Sequence, residues 1–318
     1  MPVNRGLKSL LLYKINHYMT PEELKAEVIK VLGAPIVRRI LREVDTSSAG
    51  LNALAPELNF DEHSILICIY KDIKNLAYEK LYEKVKAWHK IAKSTLQENS
   101  KKIRRCLRDW AGVILVPDSL VALEKASRRH KRPPPCAGVN LWIDSSDFAE
   151  TETTGLSRKD PKYSYKTKSE ARRWLTICDG KERFQFIGGP HYPKHYDADL
   201  LIYYASQLDD SFEGAKAVAD FAFRKAEHFL KKVSLITPTT EAGRPKKDPI
   251  TGKKRKRELM EEEKLDNKNI REVRSTVEHP YGWLSTKFLA LKEKFRDGED
   301  QHDCLIRFAA ACHRISKA

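Results

Sequence analysis

The sequence predicts an α/β protein: a layered domain of mixed strands and helices, preceded by an all-helical region. Three observations predict it. The first 112 residues carry helical periodicity and no strand pattern. A basic, proline-rich stretch, "ASRRHKRPPPCAGVN", then interrupts the chain. Beyond it, short apolar runs alternate with helical segments, the order that builds a sheet covered by helices.

In the helical region, "TPEELKAEVIKVL" has Thr20 as N-cap, Pro21 at the first helical position and Glu23 as capping-box partner. "APIVRRILREVD" continues that helix or forms a second one. The long stretch "SILICIYKDIKNLAYEKLYEKVKAWHKIAKSTLQENSKKIRRCLRDWAG" offers three helical segments, the middle one short, with a break at about 87–90. A short helix, a turn, and a helix opening with Lys93, Ser94 and Thr95 form a helix-turn-helix pattern at about 61–110. Those small polar and basic side chains could reach base edges and phosphates. The turn lacks the usual glycine, and a plain helical bundle is the other reading. The linker spans 113–136; its Arg128, Arg129, Lys131 and Arg132 either touch a phosphate backbone or form a solvated connection.

The second domain is expected over 137–318. "GVNLWIDSSDF" is an apolar run ending in acid, a buried strand. "RRWLTICDGKERFQFIGG" reads as two strands joined by a hairpin at Asp179-Gly180. "DADLLIYYASQL" reads as a helix, "EGAKAVADFAF" as a short strand ending at Asp220, "RKAEHFLKKV" as a helix and "SLITPTT" as a strand. "MEEEKLDNKNIREVRSTVEHPYGWLSTKFLALKEKF" reads as helical with a break at Pro280, and "QHDCLIRFAAACHRI" as a closing helix. Between them, about 240–262 is an exposed, charged loop. Its basic clusters at 244–247 and 253–257 resemble a bipartite nuclear-import signal, which would make the protein nuclear in a eukaryote and cytoplasmic or nucleoid-bound otherwise. A solvated loop explains them equally well.

Composition excludes some classes. A chain of 318 residues with 41% hydrophobic side chains can bury a sizeable core in two domains or one elaborated one. No apolar run approaches the ~20 residues of a membrane span. The opening "MPVNRGLKSLLLYKINHYMT" has no small-residue cleavage site and is expected to belong to the fold. Six scattered cysteines without a CxxC favour a reducing, intracellular setting. His302, Cys304, Cys312 and His313 lie close together but lack zinc-ligand spacing, so ordinary residues of a buried helix are expected. The net charge of +15 serves solubility or a polyanionic partner.

Three acids stand out. Asp144 and Asp220 end apolar strands, and Glu278 lies on a late helix at the edge of a face formed by Ile270, Val273 and Val277. Carboxylates at adjacent strand ends repel one another and are tolerated when a divalent cation neutralises them; hard oxygen ligands suit Mg²⁺ or Mn²⁺. Two such ions about 4 Å apart can activate a water or a 3′-hydroxyl and stabilise the leaving oxygen of a phosphodiester. The competing reading makes each acid a turn or cap residue, with Glu278 simply pairing with Arg274 one turn before it.

The segments "GVNLWIDSSDF", "KTKSEARRWLTICDGKERFQFIGGPHYPKHYDADLL", "AVADFAF…LITP" and "NKNIREVRSTVEHPYGWLSTKF" resemble the DDE superfamily of transposases, nearest to the PIF/Harbinger group and its bacterial insertion-sequence relatives. The resemblance runs from about 137 to the C-terminus, and the helices around 77–110 resemble the helix-turn-helix found upstream in that family. It implies an RNase H-like core: a mixed sheet flanked by helices, with a first Asp ending a strand, a second Asp on the fourth strand and a helical Glu in an R-x-x-V-E-x-x-x-G motif. Asp144 matches the first acid, with Asp147 as fallback. Glu278 matches the last, in "RSTVEHPYG". Asp220 matches the second, although Phe223 replaces the family's tyrosine; Asp197 in "KHYDADLL" matches another recurrent aspartate and is the alternative. Lys166 and Lys168 are candidates for phosphate contact, Arg271 and Arg274 for orienting Glu278 or touching DNA. Gly282 is expected to permit close helix approach, and Trp283 to be core rather than a stacking platform.

The resemblance thus implies a transposase that holds two Mg²⁺ on Asp144, Asp220 and Glu278, hydrolyses a phosphodiester at an element end, and joins the freed 3′-hydroxyl to target DNA. DNA is the expected partner, with a homodimer or larger assembly on it and an accessory DNA-binding protein in some members. A domesticated DNA-binding descendant without catalysis and a stand-alone metal-dependent nuclease are the alternatives.

Overall fold

The computed structural model describes residues 18–46, 62–128, 132–151, 156–239, 246–247, 254–255 and 259–318. The opening stretch 1–17, Arg129 and Lys131 lie outside them. The chain forms two compact units. One holds the described residues up to Ile114 together with Leu284–Ser316; the other holds Leu115–Trp283 with Lys317–Ala318.

The first unit is helical throughout. Its elements are α1 (Pro21–Leu32), α2 (Ala34–Thr46), α3 (Glu62–Lys74), α4 (Tyr78–Val85) and α5 (Lys93–Ile114). Thr20 and Glu23 close the expected capping box on α1, and Gly33, at φ 92°, separates α2 as a helix of its own. The helix α3 is buried along nearly its whole length, as its continuous apolar run requires. The chain returns to this unit at its end, where α12 (Glu299–Ser316) packs along α5. All six cysteines are buried free thiols.

The second unit begins with α6 (Leu120–Ser127) and is built on β1 (Leu141–Ala149), β2 (Tyr163–Ser164), β3 (Ser169–Asp179), β4 (Phe184–His191), β5 (Lys216–Val218) and β6 (Ser234–Ile236). The order is β2-β3-β1-β5-β6, with β4 on the other side of β3. Strands β1, β3 and β4 pair antiparallel, and β1, β5 and β6 parallel. This is the mixed sheet of an RNase H-like fold. The hairpin turns where Asp179-Gly180 predicts; a Cβ on Gly180 would fall 2.9 Å from the Ser127 backbone, so only glycine fits there.

Alternation along β1 divides its side chains between two faces. Leu141 and Ile143 join Leu175, Ile177 and Phe223 in a core under α7 (Asp197–Tyr203) and α8 (Ala205–Ser211). Trp142 and Phe148 face the other way, toward α9 (Glu261–Arg274) and α10 (Glu278–Lys287).

Four expectations change. Asp144 lies within β1, not at its end, because β3 is long enough to pair with β1 from Leu141 through Ala149. "RKAEHFLKKV" is not a helix; a 3₁₀ segment, Phe221–Ala226, is followed by turns. Asp209 accepts hydrogen bonds from the backbone amides of Lys231, Lys232 and Val233, which holds that stretch open. The late helical run breaks at Ser275–Val277, a 3₁₀ turn, while Pro280 sits in the first turn of α10, where its missing N–H costs nothing. In the charged loop, β7 (Lys246–Lys247) and β8 (Lys254–Arg255) pair as a two-residue antiparallel ladder; the rest of both basic clusters lies outside the described residues.

Candidate active site

Asp144 is a mostly buried carboxyl group on β1. Burial pushes its carboxyl up to about 6, against the backbone N–H of Ser145 and the charges of Lys166 and Arg274, which favour ionisation; Asp197 adds to the rise. The parallel register Leu141↔Ala217 and Trp142↔Val218 makes the next step plain. Counting two residues on along each strand brings Asp144 level with Asp220. The parallel ladder has ended by then, so the side of β1 facing Asp220 is open.

Asp220 lies two residues past the end of β5 and caps the 3₁₀ segment that follows, accepting from the Phe221 backbone N–H at 2.5 Å. Its side chain is half exposed, and its one ion pair is loose, 3.7 Å from Arg274 Nη1. Arg274 therefore serves two acids: it touches Asp220 and stabilises the charge on Asp144. Lys166, exposed in the turn before β3, adds a second positive charge near Asp144.

Glu278 opens α10 and is exposed. The pairing with Arg274 that the sequence allowed does not form, and among the described residues Glu278 makes no ion pair. The helix is tied down on both sides of it. Trp142 Nε1 donates to the Val273 carbonyl at 2.8 Å, and the Tyr281 hydroxyl donates to the Asp144 carbonyl at 3.3 Å while sharing a hydrogen bond with Thr176 Oγ1. His279 Nδ1 and Lys317 Nζ both reach Glu182 in the β3–β4 hairpin. Gly282 does not serve a close helix approach: a Cβ there would meet nothing within 4 Å. Trp283 is partly buried. Among the described residues, no group of three or more His, Cys, Asp or Glu side chains is placed to hold a metal ion. Asp144 and Asp220 thus come level, and Glu278 stays outside a ligand cluster.

The alternative acids are occupied. Asp147 is almost fully buried, gripped by Arg173 at 2.6 and 3.1 Å and by the Ser164 hydroxyl at 2.6 Å. The same guanidinium bonds Asp197 at 3.0 Å, and Ser145 Oγ donates to it as well. Sequence reasoning missed Arg173, Ser145 and Tyr281. The cross-strand pair Asp147↔Arg173 fixes the first of these, and only the register reveals it. For Tyr281, its place one helical turn after Glu278 was the available signal.

The expected DNA-contact residues are dispersed. Lys93, Ser94 and Thr95 open α5 and are exposed, with Lys93 paired to Glu79 at 3.1 Å. Arg128 ends α6 and is exposed. Arg132 is spent on the fold: its guanidinium lies 4.2 Å from the Trp142 ring centre and donates to the Val139 carbonyl, and burial lowers its pKa. Lys168 is exposed at φ 54°, and Arg271 is exposed on α9.

No curated protein and no solved structure matches this chain. A family model described as DDE superfamily endonuclease matches residues 143–316, more than half of the chain. That span opens one residue before Asp144 and takes in Asp220, Glu278 and the strands and helices that carry them, and so the chain belongs to the DDE superfamily of endonucleases.

Proposed function

We propose that this protein is a DNA transposase of the PIF/Harbinger type, in which Asp144, Asp220 and Glu278 form the catalytic, metal-holding acid set. The observation that carries the reading is that Asp144 on β1 and Asp220, two residues past the end of the parallel neighbour β5, follow the paired residues Trp142 and Val218 by the same two positions, with Arg274 loosely paired to Asp220 and the family's helical acid one turn after that arginine. Endonucleases of this superfamily generally use divalent metal ions. The donors fit such an ion: they are carboxylate oxygens, and they carry more negative charge than Arg274 neutralises at 3.7 Å. When bound, Mg²⁺ or Mn²⁺ would supply activation of the attacking oxygen and relief of charge on the leaving one.

The chain's own residues do the rest. Asp144 must be ionised, so Lys166 and Arg274 keep a buried carboxylate available near neutral pH. Tyr281 fixes the helix bearing Glu278, and Trp142 the end of the preceding helix α9, against the strand bearing Asp144. Lys166, Lys168 and Arg271 offer exposed positive charge for phosphates. Water would attack the phosphodiester at the element end and release a 3′-hydroxyl, which would then displace a 3′-oxygen in target DNA. Asp220 is preferred to Asp197 as second acid because Arg173 and Ser145 already bind Asp197. The opening of α5, with Ser94 and Thr95 exposed, is proposed to read the element ends as part of a helix-turn-helix. The basic clusters at 244–247 and 253–257 are proposed for nuclear import, and a dimer would bring two ends together.

The outlying position of Glu278 favours one second reading, a domesticated descendant that binds DNA without cutting it. Mn²⁺-dependent cleavage of DNA carrying the gene's flanking sequences decides between them. Defined cuts by the wild type that vanish in Asp144→Asn, Asp220→Asn and Glu278→Gln support the transposase; binding without cuts supports the descendant. Each loss should exceed the roughly 10–100-fold that removing a metal ligand's outer partner costs.

A further inference from the structure

Between the start of α7 and the 3₁₀ segment after β5 lies a cleft of about 520 Å³ that the acid set does not use. Two aromatic rings open onto it, and both are exposed: Tyr196 by 76% and Phe221 by 41%. Arg224, Lys225 and His228 also line it. Neither Arg224 nor Lys225 forms an ion pair among the described residues, and Asp199 is the one lining acid left unneutralised, since Arg173 pairs with Asp197. Phe221, which lines the cleft, directly follows Asp220 in the chain.

Flat rings beside free cations suit a particular ligand. Nucleobases stack on aromatic faces whatever their sequence, while the strand's phosphates meet the cations. A paired base in duplex DNA has its faces covered by its neighbours, so rings set in a cleft select an unpaired nucleotide. The volume lies within the roughly 300–1,000 Å³ of small-ligand sites. Exposed tyrosine and phenylalanine cost solubility unless something covers them, and the Tyr196 side chain makes no capping hydrogen bond to α7.

We propose that this cleft holds an unpaired nucleotide of the DNA strand, stacked on Tyr196 with Phe221 beside it and its phosphate at Arg224 and Lys225. The proposal rests on the DNA-cutting reading above and names the form in which the substrate strand is held next to Asp220. It implies that the duplex is opened locally where it meets the protein.

The test uses the full chain in EDTA, so that no cutting is needed. Fluorescein-labelled oligo(dT) of about 12 nucleotides, within the range of single-strand site sizes, is titrated and followed by anisotropy. The expected result is binding that Tyr196→Ala weakens about tenfold or more and Tyr196→Trp preserves, with Lys225→Glu also weakening it. A strand carrying 5-iododeoxyuridine should photocrosslink to Tyr196 or Phe221. Equal affinity in wild type and Tyr196→Ala, or crosslinks confined to other segments, overturns the proposal. Because the readout is metal-free, loss of cutting with intact Tyr196-dependent binding counts against the catalytic reading alone, and cutting without such binding counts against the cleft alone.

Discussion

In the helical unit, Lys71, Asp72, Arg104 and Asp297 bury two positive and two negative charges that satisfy each other. Arg104 grips Asp72 with two nitrogens, and Asp297 lies 2.7 Å from Arg104 and 2.6 Å from Lys71. In the sheet unit, Asp144 is buried and among the described residues forms no ion pair, while Asp220 pairs with Arg274 at 3.7 Å. The carboxyl groups respond in opposite directions. Burial opposes ionisation of Asp297, but Arg104 and Lys71 outweigh it and hold the carboxyl below its ordinary range. At Asp144 burial wins, and the carboxyl rises to about 6. Charges held for folding are paired within the chain; charges left short of a partner stand ready for one from outside. The contrast recurs within a single strand, where Asp147 is fully engaged by Arg173 three residues from Asp144.

The comparison breaks most severely at Arg104. Arg104→Met leaves Asp72 and Asp297 buried with one lysine between them, and should cost about 3–5 kcal/mol in urea unfolding. A loss near zero would mean the network is not what holds those helices. Asp144→Asn should move stability the other way. The folded pKa lies above the unfolded value of 3.8, so the ionised carboxylate costs the ligand-free fold stability above pH 6. The variant should therefore be more stable than wild type by roughly 1–3 kcal/mol at neutral pH. That advantage should fade as pH falls through about 6 toward 3.8, where the wild-type carboxyl is protonated. Equal stability of the two proteins at neutral pH would remove the contrast. The smallest effect is expected at Gly282, where a Cβ has open space. Gly282→Ala should add about 0.5–1 kcal/mol through helix propensity, read as a small rise in Tm.

What the sequence revealed tracks how local the cause is. The Thr20–Glu23 capping box and the Asp179-Gly180 hairpin are decided within four or five residues, and both form as expected. The strands β1, β3 and β4 were legible for the same reason, whereas β2 and the helix α6 within the expected linker were not. Asp144's position inside β1 was not, because the polar "SSD" after it joins the sheet only through β3. The 3₁₀ segment after Asp220 replaced an expected helix because Asp209, distant in sequence, takes the backbone amides of Lys231, Lys232 and Val233. At the site, the family resemblance rather than spacing singled out the acids, whereas Arg173, which occupies Asp147 and Asp197 and so leaves Asp144 and Asp220 as the under-neutralised pair, depends on register.

On the reading proposed above, Asp144 and Asp220 take a divalent cation from outside the chain. Thermal unfolding with and without Mn²⁺, on wild type, Asp144→Asn and Asp220→Asn, addresses it directly. A ligand at about 100 times its Kd adds about 2.7 kcal/mol to the folded state. Mn²⁺ should raise the Tm of the wild type by several degrees and leave both variants nearly unmoved. An equal rise in all three, or none in the wild type, would contradict the account.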